Sequence, residues 1–465
     1  MINHEKLFKN SRETALTKCK ISGEIPKWLT GSLYRIGPGL FNLKKQKVNH
    51  WFDGMGLLHH FKIENSTAFY QSKFIESSAY KKAKKNQQLC YREFATDPCS
   101  RIFKHFFTKF TQKFTSNTLV NLTKVDNQMV SMTETPQPII FDPKSLKTNG
   151  PLKFDDQYTY NLSTAHPHLD PNDQSIINLG IRMGLKTTYE FFKIIKKKRV
   201  VISSVKVDQP SYQHSFGMTK NYLIIVDIPY KVSPLKLIFG NKTYIEQFKW
   251  TEKDPTLFHI IDIKTGKKVC SIKGPSLFMF HQVNAFEKNN KIIFDTIAYE
   301  NPDVINALYL DNLRSKKPKI PPSHLKRFIL DIQNKRCIEN KILCEETLEL
   351  PNINYKKNNT KDYRYVYGLN INKSTFFNRV LKVDIKSKDY KYYEKKHCIP
   401  SEPVFIQNPH SNDEDDGIIL SVFFNTKEEQ TELHGINAKT MRNEFSAIIP
   451  QLNGFTFHGQ FYEGE

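Results

Sequence analysis

Four histidines sit where an unpaired imidazole would be costly. They are His166 in AHPH (165–168), His214 in YQHSFG (212–217), His281 in FMFHQVNAFE (278–287) and His458 in FTFHG (455–459). Each has apolar or aromatic neighbours, and a polar ring among them loses its water unless a partner replaces it. Two readings meet that need. One is a structural hydrogen bond, the commoner fate of an isolated histidine. The other is ligation of a metal through one ring nitrogen. The four lie far apart in the chain, which excludes a zinc finger or an HExxH site. Such separations suit a circular fold whose strands converge on an axis.

The elements that would position these rings read mostly as short strands. Runs at 128–133, 175–181, 222–228, 259–263, 291–298, 379–385 and 417–425 are rich in β-branched and aromatic residues. Turn chemistry separates them, as in Asp170-Pro171-Asn172-Asp173, Lys264-Thr265-Gly266 and Asn289-Asn290. The acidic run Asp413 to Asp416 before Gly417 reads as a hairpin turn, since it lacks calcium-loop spacing. Many evenly spaced strands predict an all-β barrel, sandwich or propeller, and no blade motif repeats to choose among them. One segment differs. In residues 100–114, Phe103, Phe106, Phe107, Phe110 and Phe114 recur at helical spacing, with Lys104, Lys109 and Lys113 between them. This is a basic amphipathic helix, either docked on the sheet core or lying in a membrane interface. The Lys-rich stretches 196–199 and 316–319 read as solvated loops.

Composition narrows the partners. The net charge of +22 would attract nucleic acid or anionic lipid. It is mostly scattered lysine, and no helix-turn-helix, RNP or zinc-finger spacing accompanies it, which argues against a nucleic-acid partner. Seven cysteines without a CxxC pair suit a reducing compartment. The first twenty residues have no apolar core of the signal-peptide type, and no apolar run is long enough to span a bilayer. The expectation is a cytoplasmic protein, with peripheral attachment to a membrane face through residues 100–114. Cys99 just before that segment is a candidate for lipidation. GPG (37–39) and GMG (54–56) are not a dinucleotide fingerprint, and no nucleophile elbow is present.

Ordered motifs then carry a resemblance across nearly the whole chain. They are GSLYRIGPGLF (31–41), HWFDGMGLLHHF (50–61), TDPC (96–99), TET (133–135), TAHPH (164–168), PSYQHSFGMT (210–219), FHQVNAFE (280–287), LELPNINY (348–355), PSEPVF (400–405), EDDGIILS (414–421) and FHG (457–459). The sequence resembles the animal carotenoid cleavage oxygenases, the group of β-carotene oxygenases and the retinal-pigment-epithelium retinoid isomerase. The resemblance implies one domain over 1–465: a seven-bladed β-propeller with a helical and loop cap over an iron site. It implies one Fe(II) per chain held by His166, His214, His281 and His458, and places Glu134, Glu349 and Glu402 behind them. Such carboxylates accept the ligands' second ring N–H, which aims the metal-binding nitrogen and raises its basicity. His166 would have none. His168 is not a proposed ligand, and Gln282 stands where some relatives have a second histidine.

The implied reaction is oxidative cleavage of a carotenoid or apocarotenoid double bond with O2. DTIAYE (295–300), LELPNINY and YRYVYG (363–368) look closest to the enzymes that cut the central bond of β-carotene to give retinal. Two alternatives keep the scaffold: a retinoid isomerohydrolase, and a non-catalytic carotenoid-binding propeller. The intact set of four histidines and three glutamates argues against the last. Departures from the family pattern are Ser100, where relatives have Lys, and the shortened regions 181–209 and 328–347. They spare the histidine motifs and bear on the substrate tunnel.

Overall fold

The apolar runs become strands close to where their patterns place them. The computed structural model describes residues 3–97, 115–184, 186–239 and 242–464. Strands Lys291–Ala298 and Gly417–Asn425 coincide with their apolar runs. The second is buried along its whole length, as a continuous apolar run should be. Asn289 and Asn290 both take positive φ, at 53° and 57°. They form the two-residue turn that suits a twisted hairpin, joining Gln282–Lys288 to Lys291–Ala298. That turn sets the register of the strand that His281 precedes. The acidic run 413–416 lies in the loop between the paired strands Val404–Gln407 and Gly417–Asn425.

The sheets are antiparallel meanders arranged as an all-β, propeller-like fold. One sheet orders Thr14–Lys18, Thr67–Phe74, Met55–Glu64, Gly31–Leu40 and Gly459–Glu463. A second runs through Asn121–Val125, Gln128–Met132, Ile139–Phe141 and Thr148–Pro151. A third contains Ile176–Arg182, Thr187–Ile195 and Lys198–Val207, with Leu162–Ser163 and His168–Leu169 along one edge. An eight-stranded sheet has Gly217–Met218 at one end and Gln282–Lys288 at the other. Its two halves meet at one parallel pairing, Lys273 with Arg336. Another sheet runs from Glu349–Asn352 to Tyr390–Glu394. The last is built on Gly417–Asn425, Gln430–Asn437 and Asn443–Ile449.

Both ends of the chain close the ring. Gly31–Leu40 pairs with Gly459–Glu463, and Lys20–Gly23 pairs with Asn443–Ile449. Short helices and loops form a layer beside the inner strands. His50 bridges to Tyr309, Trp51 N–H donates to Leu308 O, and Ile245 N–H donates to Phe94 O. Arg199 corrects the reading of 196–199 as a solvated loop. Lys196 and Lys197 do form a hairpin turn, but Arg199 lies on strand Lys198–Val207 and is buried. Its guanidinium pairs with Asp156 at 2.7 Å and packs on the Phe154 ring. In the shortened regions Thr187–Ile195 pairs with Lys198–Val207, and His324–Asp331 pairs with Arg336–Thr347, each as an antiparallel hairpin with a shift in register. Residues 100–114 and Cys99 lie outside the described residues, and among the described residues no helix is long and apolar enough to cross a membrane.

The HWFDGMGLLHHF motif buries three histidines that serve the fold. His50 bonds Ile305 O, His59 bonds the Tyr70 hydroxyl, and His60 bonds Ser32 Oγ. Burial pushes His50 and His59 down to about 3 and His60 to about 4, from an unfolded value of 6.5. Below pH 6.5 the unfolded chain therefore binds protons that the folded chain refuses. Stability should fall as pH drops through 6.5 and keep falling toward 4. Each ring contributes about 1.4 kcal/mol per pH unit in that window. Denaturant midpoints measured from pH 7 to 5 check this, and a flat profile would mean the rings accept protons while folded.

Candidate metal centre

The four histidines separated in sequence converge in space. One ring nitrogen from each of His166, His214, His281 and His458 lies within 4.8 Å of the others. The fold achieves this with one device used four times. His214 precedes strand Gly217–Met218, His281 precedes Gln282–Lys288, and His458 precedes Gly459–Glu463. His166 lies between the two edge strands Leu162–Ser163 and His168–Leu169. All of these are terminal strands of their sheets, so the rings share one axis.

Local bonds then set the spacing. Ser215 stitches two of the histidine segments together: its Oγ donates to Phe280 O at 2.6 Å and accepts from Gln282 N–H at 3.0 Å. Those two residues flank His281. Asn121 Nδ2 donates to Ala165 O at 2.9 Å and holds the His166 loop. His458 is fixed through the exchange of Phe457 N–H with Ile36 O and Ile36 N–H with His458 O. The next residue must be glycine. A Cβ on Gly459 would meet Arg35 Cγ and Tyr34 O at 2.6 Å each.

The three glutamates stand behind three of the rings. Glu134 accepts from His214 Nδ1–H at 2.6 Å, Glu349 from His281 Nδ1–H at 2.6 Å, and Glu402 from His458 Nδ1–H at 2.7 Å. Each bond directs the proton to Nδ1 and leaves a lone pair on Nε2. The Nε2 atoms of His281 and His458 are 3.2 Å apart, and those of His166 and His214 are 3.0 Å apart. Between His281 and His458, both held with the proton on Nδ1, the facing lone pairs repel unless a cation lies between them. Between His166 and His214 an Nε2–H of His166, which has no carboxylate behind it, can bridge the two rings. The surrounding charge favours a cation as well. Three carboxylates surround the rings, and the guanidinium reaching them is Arg35, fully buried and 3.6 Å from Glu402. A divalent ion would neutralise what remains, so the residues fit a metal of that charge.

Burial is the main cause that pushes His166 well below the usual imidazole range, reinforced by His458, His214 and His281. It also lowers His214 and His458, against the opposing pull of Glu134 and Glu402. Burial opposes ionisation of Glu349. His281, the Leu350 N–H and the Tyr299 hydroxyl outweigh it and hold the carboxyl below its usual value. Burial thus favours the neutral, electron-pair-donating form of His166, His214 and His458.

His168 is not in the cluster. It bonds the Tyr355 hydroxyl at 2.9 Å and Phe216 O at 3.0 Å. His434 is also elsewhere, bonded to Glu432 and Tyr393. Sequence reasoning missed Arg35, Ser215, Tyr212 and Tyr299. A lone arginine in the apolar string SLYRIG was a usable signal for the first. An aromatic wall stands on one side of the rings. Phe280 lies 5.2 Å from His214, and Phe52 packs on Phe280, Phe94 and Phe457.

Comparison with known proteins agrees with this geometry. The model of the family described as "Retinal pigment epithelial membrane protein" matches residues 7–463. β,β-Carotene 15,15'-dioxygenase of Gallus gallus is 31% identical, over 96% of this chain and 95% of the relative. A mitochondrial carotenoid-cleaving dioxygenase of Mustela putorius furo is 31% identical, over 96% of this chain and 94% of its own. The crystal structure of an ACO/RPE65 chimera superposes with a TM-score of 0.89 at 24% identity, covering 99% of this chain and 98% of the other. A cobalt-substituted Synechocystis ACO superposes equally well, at the same identity and coverage.

Replacing any one of His166, His214, His281 or His458 with Ala should abolish or strongly weaken metal binding. His168→Ala and His434→Ala should not. Gln at Glu134, Glu349 or Glu402 should weaken metal affinity by roughly 10–100-fold. Metal content of the purified variants and chelator titration check both statements. Normal content in His281→Ala would remove that ring from the ligand set.

Proposed function

Since this chain belongs to the retinal pigment epithelial membrane protein family of carotenoid oxygenases, we propose that it cleaves a carotenoid double bond with O2, using one Fe(II) per chain. The observation that carries the reading is the convergence of four imidazoles, three of them backed by carboxylates. Imidazole suits several metals, and the family selects iron. Bound there, iron would supply O2 activation, and four neutral ligands would leave it open positions. The chain's own residues do the rest. Glu134, Glu349 and Glu402 hold the rings in one tautomer. Phe52, Phe280 and Phe457 offer an apolar wall against which a polyene can lie without losing water-bound polar groups.

The substrate proposed is β-carotene, cut at its central double bond. One C=C and one O=O bond break, two C=O bonds form, and two retinal molecules result. The β,β-carotene 15,15'-dioxygenase relatives at 31% identity support this choice over other positions. The scaffold proposed is a seven-bladed propeller spanning 1–465. Dividing the eight-stranded sheet at its lone parallel pairing gives the seventh blade. Each blade then contributes one of the four histidines or three glutamates.

Purified protein with Fe(II), detergent-dispersed β-carotene and air should yield retinal, and no product without O2. Longer apocarotenals would move the cleavage position. Retinol from a retinyl ester without O2 would replace cleavage by isomerohydrolysis. No product from any polyene with iron bound would leave a carotenoid-binding propeller.

We also propose that residues 100–114 attach the protein to a membrane face, since the substrate dissolves in lipid and not in water. Five phenylalanines and interleaved lysines suit an anionic interface. Changing Phe103, Phe106, Phe107 and Phe110 to Ser should abolish flotation with anionic liposomes. A folded variant that floats like the parent would exclude the segment as anchor.

A further inference from the structure

Two tyrosines reach the metal-facing histidines through the carboxylates. Tyr299, in the DTIAYE motif, donates its hydroxyl to Glu349 Oε1 at 3.0 Å. The other oxygen, Oε2, accepts from His281 Nδ1–H and from Leu350 N–H, each at 2.6 Å. Both carboxylate oxygens are therefore occupied, and the group cannot rotate without losing a bond. Tyr212 donates to Glu134 Oε1 at 2.7 Å, the same oxygen that accepts from His214.

The Tyr299 hydroxyl is held as firmly as the bond it makes. Its backbone exchanges both hydrogen bonds with Phe278, at 3.0 and 2.8 Å, three residues before His281. Its ring packs against Phe278 and Phe280 and is almost fully buried. Glu349 begins a strand of a different sheet, Glu349–Asn352. The result is a closed loop of bonds. It runs from His281 to Glu349, from Glu349 to the Tyr299 hydroxyl, and from the Tyr299 backbone through Phe278 back to His281.

We infer that Tyr299 is a positioning residue for the metal, acting through Glu349 on His281. A carboxylate fixed at both oxygens presents one of them to Nδ1–H in a single direction. It thereby aims the Nε2 lone pair, and freeing one oxygen lets the ring tilt. Outer groups of this kind weaken metal affinity when removed. The assignment gives the motif DTIAYE a physical task at the site: its tyrosine spans two sheets.

This inference rests on the reading of the four histidines as metal ligands, and the experiment separates the two. Cobalt(II) is loaded into the full-length parent and into Tyr299→Phe, and affinity is measured by chelator competition. Phe keeps the ring and its packing and removes only the hydroxyl. Tyr299→Phe should bind cobalt about tenfold more weakly. In the proton spectrum of the cobalt form, the His281 Nδ1–H signal should exchange faster with solvent, with the His458 signal unchanged. Apo-protein unfolding should stay near the parent's. Cobalt affinity and proton exchange equal to the parent's would overturn the inference and leave the ligand reading standing. A loss of apo stability with unchanged affinity would reduce Tyr299 to a packing residue. A parent that binds no cobalt at all would overturn both.

Discussion

Facing electron pairs at the axis are the constraint on which the rest depends. The Nε2 atoms of His281 and His458, both rings held with the proton on Nδ1, are partial negative charges 3.2 Å apart, and those of His166 and His214 stand 3.0 Å apart beside them. Two such lone pairs are not stable face to face alone. A protein that holds them so must either supply a cation or spend much of its architecture resisting their separation. This chain is built for both. Tight loop bonds at Ser215, Asn121 and Ile36 fix the rings. Carboxylates behind three of them make the axis attractive to positive charge.

Ring closure explains why such distant residues can cooperate. His166 and His458 are nearly three hundred residues apart, yet both stand at the terminal strand of a sheet. The pairing of Gly31–Leu40 with Gly459–Glu463 brings the last histidine beside the first sheet. It also places Arg35 on that sheet, where it donates to Phe457 O, Glu402 O and Thr456 Oγ1. One buried guanidinium thus braces the His458 segment and the Glu402 segment together. Such a group costs several kcal/mol to desolvate and repays it only when its donors are satisfied. Three good acceptors and a nearby carboxylate meet that condition.

Much of this was legible in the sequence, for identifiable reasons. Strands such as Lys291–Ala298 were readable because a continuous apolar run ends at Asn289-Asn290, and that pair prefers one turn type. The four histidines were readable because aromatic neighbours make an unpaired ring expensive. Their identity as a set came from motif order, since no local spacing relates His166 to His458. Glu349 and Glu402 stood out as acids in apolar strings, and both are buried. Other features were invisible. Arg199 lies in a basic run that looks solvated, and only the distant Asp156 makes it an interior residue. Tyr299 and Ser215 act by contacts across strands that no pattern in one segment encodes. Blade number was equally hidden, because it depends on which strands pair.

The asymmetry among the four rings has a structural origin and a chemical consequence. Glu349 and Glu402 are buried to a similar degree, while Glu134 is partly open and His166 lacks a carboxylate. His166, the most open of the four rings, lies with His214, and His281 lies with His458. One side of the axis is therefore backed by two carboxylates and the other by one. The aromatic wall of Phe280, Phe52 and Phe457 stands beside His214 and His458 and excludes water from that approach. None of those rings carries a group able to donate or accept a proton. A site so built offers an apolar reactant a surface beside four ring nitrogens that could hold a cation, and among the described residues that wall itself supplies no acid or base. For the carotenoid substrate proposed above, selectivity between bonds would then come from where the polyene stops along the wall, a matter of length and shape.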